Sequence, residues 1–168
     1  MRRALVLFLT LLLLWAGMAQ VNDALAPEHI SLFAGGLFVA YGALFLPLAE
    51  GLAASLLAGG VCDAHAPVRF GTQVLLFATA HVLLFAFRER LPHDQAAGRI
   101  GIVLLANLAI FLALAFLQAG RGARASLWPR LGVDLVCSQI FVALIVPWFF
   151  ALQDRALALI PPDPERMF

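Results

Sequence analysis

Six apolar stretches, separated by short polar breaks, leave this chain little choice of fold. They run Ala4–Ala19, Ile30–Leu46, Leu48–Cys62, Thr72–Phe87, Ile100–Leu117 and Leu131–Leu152. Each is longer than an ordinary strand and none alternates apolar with polar residues, so each is predicted to be a helix. A soluble domain carries charge on about a quarter of its residues. Here only 12% of the 168 residues are charged and 63% are hydrophobic. That is too little polar surface to cover a globule in water, and lipid is the expected solvent for much of the exterior. Backbone facing lipid must close its own hydrogen bonds, which helices do within one segment. The expectation is an all-α membrane protein, with residues 1–168 forming a single compact bundle of about six transmembrane helices.

Several stretches are short. At about 1.5 Å per residue, Leu48–Cys62 covers only about 22 Å of a hydrocarbon core roughly 30 Å thick. It is expected either to extend into the Asp63–Pro67 loop or to sit partly inside the bundle, screened from lipid by its neighbours.

All 11 basic residues are arginines. With the N-terminus in the cytoplasm, Arg2, Arg3, Arg88, Arg90, Arg99, Arg155 and Arg166 fall inside, and Arg69, Arg121, Arg124 and Arg130 outside. This excess favours both termini inside. Arg2 and Arg3, the apolar run behind them and the small residues before Gln20 also fit a cleavable signal peptide. Either reading leaves Gln20 outside.

A net charge of +1 gives no footing for nucleic acid. Cys62 and Cys137 form no CxxC, and His29, His65, His81 and His93 form no HxxxH or HExxH. No metal or cofactor is therefore expected.

The third stretch has its small residues in register. Gly51, Ser55, Gly59 and Asp63 recur every four positions and form one stripe on a helix. Small-xxx-small steps let another backbone approach closely. The stripe therefore serves internal packing or docks a partner. Asp63 ends it, with Arg69 positioned either to pair with it across the turn or to leave it solvated. Among residues at membrane depth, Gln73, Phe77 and His81 share a face, as do Asn107 and Gln118, and Asp134 and Ser138. Ionisable groups there default to functional candidates. His81 and Asp134 are the best pair for an intramembrane enzyme, but no spacing joins them, and hydrogen bonds between helices are the expected role. Pro147 and Trp148 are expected to bend the last helix and anchor it at the inner interface.

The run from Glu50 to Asp63, with Gly51, Gly59 and Gly60, followed by Arg69-Phe70-Gly71, resembles the G-x(7)-G-x(3)-D…G core of the bacterial rod-shape-determining MreD family. The similarity extends over Ile30 to Ala156 and includes Pro147-Trp148-Phe149-Phe150 ahead of a short tail. The arginine-rich segment Arg121–Arg130 has no counterpart in that pattern.

The resemblance implies a non-enzymatic inner-membrane subunit of the cell-shape and elongation machinery, or elongasome. Its partners would be a bitopic MreC-like protein and, in peptidoglycan synthesis, a SEDS glycosyltransferase and a transpeptidase. It also implies a fold similar to the S-components of energy-coupling-factor transporters. Gly51, Gly59, Asp63 and Gly71 match the family pattern. On that reading the stripe around Gly51, Ser55 and Gly59 receives a partner helix, and the Asp63–Arg69 turn orients the partner's outer part. The same six-helix plan also suits an alternative, the substrate-binding S-component of a vitamin transporter.

Overall fold

Long apolar runs with few internal breakers favour helices, and the described residues form six α-helices. The computed structural model describes residues 2–66, 69–92, 95–119 and 127–159. The helices are α1 (Arg2–Leu25), α2 (Gly35–Phe45), α3 (Leu48–His65), α4 (Thr72–Phe87), α5 (Ala96–Ala119) and α6 (Leu127–Ala158). Single helical turns at Ala26–Glu28 and Arg88–Arg90 complete the regular structure of the described residues. The expectations for Arg121, Arg124 and Arg166 lie outside them.

Three helical spans are long and apolar enough to cross a membrane: Arg2–Glu28, Ala96–Gln118 and Pro129–Ala158. Their exposed faces fit that solvent. Leu5, Leu9 and Leu13 on α1, and Val133, Val136, Ile140 and Leu144 on α6, recur at helical spacing and are open to the outside.

α2 is the centre of the bundle. The other helices surround it in the order α1, α3, α4, α5, α6, which then meets α1 again. Ten of the 11 residues of α2 are buried, as expected of a helix apolar on all sides. Glycine permits the tight packing at two crossings. A Cβ on Gly36 would lie 2.5 Å from the Val103 carbonyl oxygen on α5. One on Gly51 of α3 would lie 2.6 Å from the Gly42 carbonyl oxygen on α2. Backbones in direct contact gain dispersion energy that bulkier residues would hold apart.

The second apolar stretch is not one helix. Residues 30–34 are non-helical, and α2 begins only at Gly35. Periodicity cannot separate a buried helix from a buried extended segment, and here side chains on other helices occupy the backbone's hydrogen-bonding groups. α1 runs on past the expected Ala19 to Leu25, and α6 spans 32 residues. α6 continues through Pro147, and Trp148 beside it is 80% exposed.

α1 is integrated into the bundle. Leu7 and Leu11 are buried in the core, and the Gln153 side-chain amide on α6 donates to the Thr10 hydroxyl at 2.6 Å. The near end of the bundle carries Arg2, the α2–α3 turn and Arg88–Arg90. The far end carries residues 26–34 and the α3–α4 turn.

Candidate functional site

Gly51, Ser55, Gly59 and Asp63 share one face of α3, and that face is buried within the chain. A Cβ on Gly51 would also meet His81 Cε1 at 2.6 Å, and one on Gly59 would meet the Val74 Cα at 2.8 Å. The Ser55 hydroxyl shares a 3.0 Å hydrogen bond with His81 Nδ1, and neither residue has exposed surface. The docking role expected of the stripe is therefore corrected. The close approach that its small residues allow is already taken by α2 and α4, leaving no room for a partner helix.

Asp63 holds the start of α4. Its carboxylate accepts from the backbone N–H groups of Gly71 at 2.8 Å, Gln73 at 2.9 Å and Val74 at 3.1 Å. The first N–H groups of a helix have no intrahelical acceptor, and its positive end favours an anion. A residue from another helix thus performs the work of a cap. Gly71 has φ of 95°, a left-handed conformation that side chains disfavour. The expected pairing with Arg69 is replaced by these bonds. Arg69 is exposed, and its backbone carbonyl accepts from the Thr72 N–H at 3.1 Å and the Thr72 hydroxyl at 2.7 Å.

Asn107 and Asp134 act on the same element, the non-helical segment before α2. Asn107 accepts from the Gly36 N–H at 3.1 Å and donates to the Phe33 carbonyl at 3.2 Å. Asp134 accepts from the Ser31 N–H at 2.9 Å, and the Ser138 hydroxyl oxygen accepts from the Phe33 N–H at 2.9 Å. From α1, Asn22 accepts from the Leu32 N–H at 2.7 Å and donates to the Leu32 carbonyl at 3.1 Å. Three long helices thereby bond to the backbone of Ser31, Leu32 and Phe33, which lowers the cost of burying this short segment.

The polar residues paired by sequence spacing have mixed outcomes. Gln73, Phe77 and His81 are all buried, and so are Asp134 and Ser138. Asn107 is buried but Gln118 is exposed. The structure does not bring His81 and Asp134 together: His81 bonds to Ser55 on α3, whereas Asp134 bonds to Ser31. Asn22 was missed. The available signal was an amide one turn beyond an apolar stretch that reads as ending at Ala19. Tyr41 was missed too; its hydroxyl donates to Asp154 at 2.7 Å and ties α2 to α6 at the near end.

A pocket of about 300 Å³ opens at the far end, between α1, the non-helical segment, α3 and α4. Trp15, Phe33, Phe38 and Phe77 supply aromatic walls, and Gln73 an amide. No protein-family model, curated protein or solved structure matches this chain.

Proposed function

We propose that the chain crosses a bacterial inner membrane six times, with both termini inside, and works as a non-enzymatic scaffold subunit of the MreD type. The supporting observation is the use made of its buried polar groups. His81, Asn107 and Asp134 are the residues at which membrane-depth chemistry would be sought. Asn107 and Asp134 bind the chain's own backbone, as Asp63 does, and His81 bonds to Ser55 on α3. A group committed to holding helix ends and extended backbone contributes architecture. The apolar exterior then carries the function, through association with a bitopic MreC-like protein and, through it, with peptidoglycan synthesis.

With the α3 stripe filled internally, docking falls to outward faces. The test is affinity purification of the tagged chain, in mild detergent, from cells that also express the MreC-like protein encoded in the same genome. Stoichiometric recovery of that protein supports the scaffold. A well-folded chain recovered without it refutes the reading.

The far-end pocket favours a second reading, the substrate-binding subunit of a vitamin transporter. Strong thermal stabilisation by a single vitamin would support it over the scaffold.

A further inference from the structure

We propose that the far-end pocket is a binding site for a neutral, flat, mostly apolar molecule that carries one amide-like hydrogen-bonding group. The inference rests on the pocket's geometry and on neither reading of the function. The volume of about 300 Å³ lies at the lower end of ligand sites and suits a two-ring compound. Its walls are rings at several angles. Phe38 and Phe77 stack with centroids 5.8 Å apart, and Trp15 lies 4.5 Å from His65 at the exposed edge. Such surfaces favour an aromatic guest, because offset and edge-on ring contacts add to area burial.

The lining selects against charge. It contains no Asp, Glu, Lys or Arg, and its single ionisable imidazole, His65, lies at the exposed edge, so an ion moving inward would lose water without a counter-charge beside it. It also offers one amide that the protein leaves free for a guest. Gln73 is only 7% exposed, yet among the described residues its side-chain amide makes no hydrogen bond. Its backbone N–H is already committed to Asp63. A buried amide has donors and an acceptor to satisfy. A ligand amide meets both needs, and a wholly apolar ligand meets neither.

Cys62 lies in the pocket wall and gives a direct readout. The full chain carrying Cys137→Ala would be purified and its Cys62 reacted with a maleimide, with 2-naphthamide, naphthalene or the anion 2-naphthoate present. The expected result is at least tenfold slower labelling with 2-naphthamide, weaker slowing with naphthalene, little with 2-naphthoate, and a melting temperature raised most by the amide. Gln73→Leu should weaken 2-naphthamide by about tenfold and leave naphthalene unchanged, since one neutral hydrogen bond is at stake. Ala19→Trp, which fills the pocket from α1, should melt no lower than the parent and lose the response. Equal protection by amide and carboxylate, or a 2-naphthamide response that Gln73→Leu leaves undiminished, overturns the proposal. So does protection of Cys62 in phospholipid nanodiscs with no compound added, which would assign the pocket to an acyl chain.

Discussion

Asn107, with no exposed surface, accepts a hydrogen bond from the backbone N–H of Gly36 across the crossing of α5 and α2. The amide replaces the intrahelical acceptor that the first turn of α2 lacks. This explains how a helix of 11 residues can belong to a membrane bundle. Alone it rises about 16 Å. The non-helical residues before it add up to about 3.3 Å each, and together the two parts approach the thickness of a hydrocarbon core. Irregular backbone at that depth is tolerated where protein satisfies it.

Neighbouring glycines on α3 should respond oppositely to enlargement. A Cβ at Gly59 would collide with the backbone of Val74, whereas one at Gly60 would meet nothing within 4 Å. Gly59→Leu is expected to abolish the folded peak in size-exclusion chromatography. Gly60→Leu should keep it, with stability within about 1 kcal/mol of the parent, since helix propensity is the main change. Equal tolerance of both would show that α3 does not pack as described.

Asp63 and Arg69 should separate just as clearly. Asp63→Ala leaves the N–H groups of Gly71, Gln73 and Val74 without their acceptor and is expected to cost about 2–4 kcal/mol. Asp63→Asn keeps one acceptor oxygen and should recover part of that loss. Arg69→Ala touches an exposed side chain and should lie within about 0.5 kcal/mol of the parent. Denaturant titration of the three variants checks the order. A cost for Arg69→Ala matching that of Asp63→Ala would restore the ion pair as the stabilising contact.

The proposed six crossings would place the two ends of α4 on opposite sides of the membrane. In a chain with Cys62 and Cys137 replaced by Ala, a cysteine at Phe70 should react with an impermeant maleimide added outside intact cells. One at Glu89 should react only after permeabilisation. Both residues are exposed, so reactivity reports the side and not burial. Labelling of both from one side would remove α4 as a crossing.

The sequence made the helical class legible, because long apolar runs without alternation admit little else. The stripe on α3 was legible as a face, yet what it touches was not. Small-residue spacing states that a backbone can come close, and gives no indication whether that backbone belongs to the same chain. The break at residues 30–34 was hidden for a related reason. Ser31, Leu32 and Phe33 read as part of an apolar helix, and their hydrogen-bond partners sit on Asn22, Asp134 and Ser138. Two of those partners are more than a hundred residues away. Asp63 neither pairs with Arg69 nor stands solvated, because the uncapped N–H groups at the start of α4, which charge complementarity does not reveal, take its carboxylate.

The central claim is that the buried side chains of Asp63, Asn107 and Asp134 hold the protein's own backbone in place. Thermal unfolding of the purified Asn107→Leu protein tests it most directly. Leucine is close to asparagine in size and apolar, so it suits the surroundings but leaves the Gly36 N–H and the Phe33 carbonyl unpaired. The expected loss is about 2–4 kcal/mol, read as a melting temperature roughly 5–10 °C lower. An Asn107→Leu protein that melts with the parent would contradict the account and return Asn107 to the candidates for chemistry.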